Sequence, residues 1–245
     1  MFRLASLVLL VLAWFIGSWL AGPQMLPAPT TVLSAIVTEA RSGELFVQLG
    51  ITLARVLIAF TLAMTVGSAI GLLMGRVKLV DRLGDSWLVV LLNLPALVII
   101  VLAYLWGGLT EIAAILAVAI NKLPTAIVTV REGARALDPT LDEMAQVFAL
   151  PRRKALRHIV IPQLAPYLAA AGRTGLSLVW KIVLIVELLG RPNGVGFEIG
   201  IAFQLFDVTR ILAYALAFIV VILAIETLVV QPIERRASRW RPRTA

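Results

Sequence analysis

The chain has 245 residues, 60% of them apolar and 15% charged, and its mean hydropathy of +0.97 is beyond what a water-soluble surface carries. It has no cysteine and a single histidine, His158, which excludes disulfides, thiolate metal centres and thiol nucleophiles, and most zinc sites and catalytic triads with them. The net charge of +8 is spread in short basic stretches between apolar runs, the pattern of loops on the cytoplasmic side of a membrane rather than of a nucleic-acid face.

About 20 apolar residues make a helix that crosses the hydrocarbon core, and six stretches approach that length: residues 4–20, 50–74, 87–106, 112–130, 168–189 and 211–230. The first could also be a secretory signal, with Arg3 ahead of the run and small residues at Ala21 and Gly22. Its apolar run exceeds the usual signal core, so it reads as a retained helix. In the second, Ala59, Ala63, Gly67, Gly71 and Gly75 recur every fourth residue, a stripe that lets another helix approach closely. The third contains Asn93 and Pro95 and the fourth Asn121, Lys122 and Pro124; both prolines are expected as kinks inside spans.

With the N-terminus inside, the cytoplasmic segments hold Arg3, the Arg76–Arg82 and Arg131–Arg157 clusters and the tail arginines Arg235, Arg236, Arg239, Arg241 and Arg243, while the external segments hold only Arg41, Arg191 and Arg210. This positive-inside bias predicts both termini in the cytoplasm.

The loop between the fourth and fifth spans, residues 131–166, is too long for a simple helix connection. Asp138 is an N-cap residue with Pro139 at the first helical position, and Asp142 and Glu143 lie near the positive end of the helix. Leu141, Met144, Ala145 and Phe148 form a helical apolar stripe. Pro151 starts a second short helix, with Ala155, Leu156, Ile159 and Val160 on one side and Arg152, Arg153, Lys154 and Arg157 on the other; Pro162 and Pro166 are expected to end the unit. Periodicity alone leaves two readings open: a basic helical pair lying on anionic lipid, or a docking element for a cytoplasmic partner.

Glu143-Met-Ala, with Pro162 closing Ile159-Val-Ile-Pro162, resembles the EAA loop of ABC importer permeases. Met144 departs from the family's first alanine, and Ala149 stands where its glycine usually sits. The likeness continues in Leu26-Pro-Ala-Pro-Thr-Thr-Val-Leu33, Ser42-Gly-Glu-Leu45, Thr52-Leu-Ala-Arg-Val56 and Gly67-x-x-x-Gly71, and in Glu187-Leu-Leu-Gly190 followed by Asn193-Gly-Val-Gly-Phe197. These are similar to permeases for nitrate, sulfonate, taurine and related small molecules. The resemblance implies an all-α membrane protein of the type I importer permease fold, as a single domain over 1–245 in a bacterial inner membrane. It implies docking of two ATPase subunits through Asp142, Glu143, Met144, Ala145, Phe148, Ala149, Leu150, Pro151 and Pro162. An external solute-binding protein and a second permease copy complete the implied assembly, with no nucleic acid.

The chain has no G-x-x-x-x-G-K-S/T phosphate loop, so energy is expected from a separate ATPase, with no catalytic residue, cofactor or metal here. Lys122, Lys181 and Glu187 are charged residues at span depth. Such residues line a path or pair with one another, so one reading has a lysine on the path of an anion, and the other has a lysine paired with Glu187 or snorkelling. The competing class is a stand-alone secondary transporter or channel. Those often show inverted repeats and paired broken helices, and no convincing repeat is present here.

Overall fold

The computed structural model describes residues 2–233, and every regular element among them is helical. The tail arginines from Arg235 onward lie outside the described residues. In chain order the helices are α1 (Phe2–Ala21), α2 (Pro29–Ser42), α3 (Glu44–Arg76), α4 (Lys78–Asn93), α5 (Ala96–Gly107), α6 (Glu111–Arg135), α7 (Pro139–Val147), α8 (Arg152–Ala155), α9 (Ile161–Gly190), α10 (Val195–Gln204) and α11 (Val208–Ile225).

Among the described residues, four helical stretches are long and apolar enough to cross a bilayer: Glu44–Arg76, Glu111–Arg135, Arg152–Gly190 and Val208–Ile233. The 33 residues of α3 measure about 50 Å at 1.5 Å per residue. The pair α4 and α5 makes a fifth if counted as one broken span, and α1 contributes the shorter apolar stretch Val8–Ala21.

The sequence expectation of a continuous helix over 87–106 is corrected here, because α4 and α5 meet at a 97° bend. Pro95 disfavours helical backbone at the preceding residue, and Leu94 is extended (φ −72°, ψ 124°). The Asn93 side-chain amide donates to the Val89 carbonyl at 2.8 Å, folding its side chain back over the last turn of α4. Pro124, by contrast, stays inside a continuous α6.

The expectation that Pro162 and Pro166 end the loop is also corrected. Helix runs from Arg152 to Gly190 through a π turn at Leu156–Val160. There the Ile161 amide reaches back five residues to the Leu156 carbonyl. A widened turn just before Pro162 relieves the clash its ring would make with the carbonyl four residues earlier.

The chain divides into two compact units, one of Met1–Ala54 with Val183–Ala224 and one of Arg55–Ile182 with Ile225–Ala245. In the first, the Trp14 indole donates to the Pro27 carbonyl at 3.0 Å, tying α1 to the turn before α2. In the second, the small-residue stripe of α3 lies on α6. Ala59 and Ala63 are fully buried, and a Cβ at Gly67 or Gly75 would fall 2.8 Å from the Ala126 Cβ or 2.5 Å from the Ala134 Cβ. Met74, Leu88 and Ile127 form one apolar cluster of this unit, and Ala134, Val160 and Leu164 another. The second cluster brings α6 against the start of α9, where Gly133 lets the Tyr167 ring lie against the α6 backbone.

Candidate functional site

Helix α7 starts as its sequence dictates. The Asp138 carboxylate accepts from the Thr140 amide at 2.9 Å and from its hydroxyl at 2.6 Å, with Pro139 at the first position. The hydroxyl contact, followed by the amide contact, holds the Asp138 carboxyl below the usual carboxylate range. The Asp138 amide donates to the Gln163 side chain at 3.0 Å, which anchors the start of α7 to α9.

The helix ends in a Schellman motif. Leu150 N–H donates to the Ala145 carbonyl and Ala149 N–H to that of Gln146, both at 2.9 Å. Such a cap needs a left-handed residue at the position after the C-cap, usually glycine. Ala149 fills it with φ 48°, so the alanine at the family's glycine position adopts the glycine conformation. Left-handed backbone costs an L-residue roughly 1–2 kcal/mol. Ala149→Gly is therefore expected to slow hydrogen exchange of the 145–150 amides about threefold or more, as read by mass spectrometry, because the strain is removed without loss of a contact.

The apolar stripe of α7 splits between two surroundings. Ala145 is buried and Leu141 half-buried, holding the helix to its own unit. Met144, Val147 and Phe148 point away, with Val147 82% and Phe148 71% exposed, and Glu143 is exposed beside them. Leu150 is half-buried, and Pro151 and Pro162 are exposed. The second loop helix divides similarly: Ile159 and Val160 are buried, while Leu156 turns out with Arg152, Arg153, Lys154 and Arg157. His158 is exposed, its Nδ1 donating to the Lys154 carbonyl at 3.0 Å.

Two sets of ionic contacts that sequence reasoning missed brace this region. Arg76, the last residue of α3, grips Asp142 with its two terminal nitrogens at 2.5 and 3.4 Å. Arg131 of α6 binds Asp85 at 2.6 Å and Asp81 at 3.4 Å, and Arg135 binds Asp81 at 2.5 Å. The second set carried a signal, since Asp81 with Asp85 and Arg131 with Arg135 are complementary pairs at i, i+4 on two helices.

Of the charged residues at span depth, Lys122 is only 1% exposed, with its ammonium donating to the Thr125 hydroxyl at 2.8 Å. Its side chain lies across Gly175 of α9, where any Cβ would collide with it. Lys181 is exposed on α9. Glu187 is fully buried; its carboxylate accepts from the Thr52 hydroxyl and the Gly196 amide, each at 2.9 Å. The Val195 amide donates to Thr52 Oγ1 at 2.8 Å and the Gly194 amide to Gln48 Oε1 at 2.5 Å. Glu187 thus caps α10, a carboxylate at the positive N-terminus of that helix. Gly194 (φ 105°) supplies the turn that brings the backbone onto it.

Residues 63–237 match the family described as binding-protein-dependent transport system inner membrane component. The putative aliphatic sulfonates transport permease protein SsuC of Escherichia coli is 30% identical over 236 residues, covering 95% of this chain and 89% of the relative. The protein of that name from Bacillus subtilis is 28% identical over 92% of this chain and 81% of its own. The Escherichia coli taurine transport system permease protein TauC is 25% identical over 95% of this chain and 86% of its own. In fold, the chain is similar to a chain of the MetNI methionine ABC transporter in an inward facing conformation, with TM-score 0.67 and 16% identity over 81% of this chain and 98% of that one. It is equally similar to a chain of an amino acid ABC transporter, with TM-score 0.65 and 23% identity over 82% of this chain and 98% of that one. The chain belongs to the family of inner membrane components of binding-protein-dependent transport systems and is the multi-pass permease subunit of an ATP-binding-cassette importer, a family that works with ATPase and binding-protein partners.

Proposed function

We propose that α7 and the turn after it, from Asp142 to Pro151, are the coupling element through which a separate ATPase drives this permease. The observation that carries the reading is the outward ridge of Glu143, Met144, Val147 and Phe148 on a helix capped at both ends and braced at Asp142. A large exposed apolar group at the rim of a charged loop marks a protein contact. A rigid helix passes a displacement to the spans, and Arg76 carries it from α7 into α3. Two permease copies and two ATPase subunits form the working unit, in a bacterial inner membrane. The basic loops lie in the cytoplasm by the positive-inside rule. The solute reaches the outer side on a binding protein and passes along the face of α9 that carries Lys181. Relatives named for aliphatic sulfonates, taurine and nitrate share one chemistry, a small molecule with an oxyanion, and we assign the same class here.

Exchanging the charges of the brace tests the mechanical part. An exposed pair adds at most about 1 kcal/mol to stability, so Arg76→Asp and Asp142→Arg should each insert normally. Each is expected to lower ATP-driven uptake severalfold in vesicles holding the whole transporter, and the double exchange to restore at least half of it. Uptake within twofold of the unaltered protein in both single variants would remove the brace from the mechanism.

A further inference from the structure

In the unit of Arg55–Ile182 with Ile225–Ala245, positive charge stands at span depth with no acid beside it in the sequence. No Asp or Glu occurs between Glu44 and Asp81, between Asp85 and Glu111, between Glu111 and Glu132, or between Glu143 and Glu187. Two lysines lie inside these acid-free stretches. Lys122 is buried, its ammonium on the Thr125 hydroxyl and its stem against Gly175. Lys181 stands six residues beyond Gly175 on the same helix, about 9 Å along the axis, and is exposed. Arg173, the other cation of this part of α9, lies 3.5 Å from the Glu226 carboxylate.

Lys181 is nine residues from the end of α9, about 14 Å below it. Helical side chains lean toward the helix N-terminus, which turns this ammonium away from the near end of the span. A charge at that depth does not face lipid without a large cost. The same face carries Thr174 and Ser177, at i and i+3 with Lys181 at i+7, both exposed. Their hydroxyl protons go to the helix backbone, Thr174 to the Ala170 carbonyl at 3.0 Å and Ser177 to the Thr174 carbonyl at 2.9 Å. The ammonium is therefore the group on this face that attracts an anion. A second copy pressed symmetrically onto the same face would set Lys181 against its twin with no acid between them. Water and a mobile anion suit the face better.

We propose that the face of α9 bearing Thr174, Ser177 and Lys181 is the anion-contact strip of the translocation path. Lys181 meets the oxyanion of the solute, and Lys122 holds a second, buried positive charge against Gly175 of the same helix. This rests on the permease reading and adds to it the group that selects the charge of the cargo. A water-filled cleft lined by one sign of charge focuses a positive potential of several kT. Lys181 attracts a sulfonate, sulfate or nitrate and repels a cation of the same size.

The chain has no cysteine, so Ser177→Cys gives a single thiol one turn from Lys181. In membrane vesicles holding the whole transporter and ATP, it is labelled with anionic 2-sulfonatoethyl, cationic 2-trimethylammonioethyl and uncharged methyl methanethiosulfonates, read by the mass of the permease subunit. The anionic reagent is expected to outpace the cationic one relative to a free thiol. The ratio should fall about tenfold when Lys181→Gln is added and be kept by Lys181→Arg, with the uncharged reagent unaffected in both. If both charged reagents react at a ratio that ignores Lys181→Gln, the strip has no anion role, although the path and the permease reading stand. If only the uncharged reagent reacts, the face is dry and the path assignment falls. If Ser177→Cys forms disulfide-linked permease pairs and resists both charged reagents, the face is a contact between copies and the proposal is overturned.

Discussion

Phe148→Asp is expected to abolish ATP-driven uptake while the permease remains at its normal level in the membrane. Phe148 is 71% exposed, so its own fold gains little from the ring and loses little with it. On docking, the same ring is removed from water, which contributes roughly 1.5–3 kcal/mol for a fully buried large side chain. An aspartate there forfeits that gain and adds an unpaired carboxylate to the contact, at a further cost of several kcal/mol. Together these weaken docking by about a hundredfold or more. Glu143→Arg acts on the neighbouring exposed position and reverses the charge that the ATPase meets, with an expected loss of tenfold or more. Two measurements check the pair: recovery of the ATPase with the tagged permease, and uptake into vesicles at matched permease content. Uptake close to normal in either properly inserted variant would remove the ridge from the coupling path.

The sequence showed the helical, membrane-spanning plan and the first loop helix because each rests on local chemistry: unbroken apolar length, an Asp-Pro start and a period of 3.6; the second is the start of the long helix Arg152–Gly190. The small-residue stripe on α3 was legible for the same reason, and it lies against α6 as a packing surface. The bend at Pro95 was not, because a proline inside an apolar run gives the same local signal whether the chain kinks or breaks. Pro124 and Pro95 differ in what surrounds them, and the extended Leu94 and the Asn93 side-chain bond become visible only in three dimensions. Glu187 was recognised as costly at that depth, yet its partners, Thr52 and the Gly196 amide, could not be chosen from spacing. One of them is 135 residues away in sequence. Arg76 and Asp142 are likewise 66 residues apart, and each alone reads as an ordinary loop charge. What the sequence hides are the long-range polar contacts, which fix where α7 and the start of α10 are held.

The stripe on α3 supports the second large prediction, loss of the folded permease on Gly71→Val. A Cβ at residue 71 would stand 2.6 Å from the Ile127 carbonyl oxygen, 3.0 Å from the Val130 Cβ and 3.1 Å from the Arg131 amide nitrogen. Two of these three neighbours are backbone atoms of α6, which no rotamer change can move aside. A single methyl forced into such a contact costs about 1–3 kcal/mol, so Gly71→Ala should lower the midpoint of thermal unfolding in detergent by several degrees. Valine adds two further carbons to the same gap and parts α3 from α6, at a cost comparable with the whole stability of an ordinary domain, about 5–15 kcal/mol. Gly50 on the same helix is the control. A Cβ there meets nothing within 4 Å, and alanine is the better helix former by roughly 0.5–1 kcal/mol. Gly50→Ala should therefore unfold at or above the temperature of the unaltered chain, while Gly71→Val yields no monodisperse protein in detergent. If Gly71→Val gave the same unfolding temperature as Gly50→Ala, α3 and α6 would not be in van der Waals contact along this stripe. Arg76, one turn beyond Gly71, would then brace α7 to a helix that is itself free to slide, and a push on the coupling helix would have no rigid pair of spans to act on.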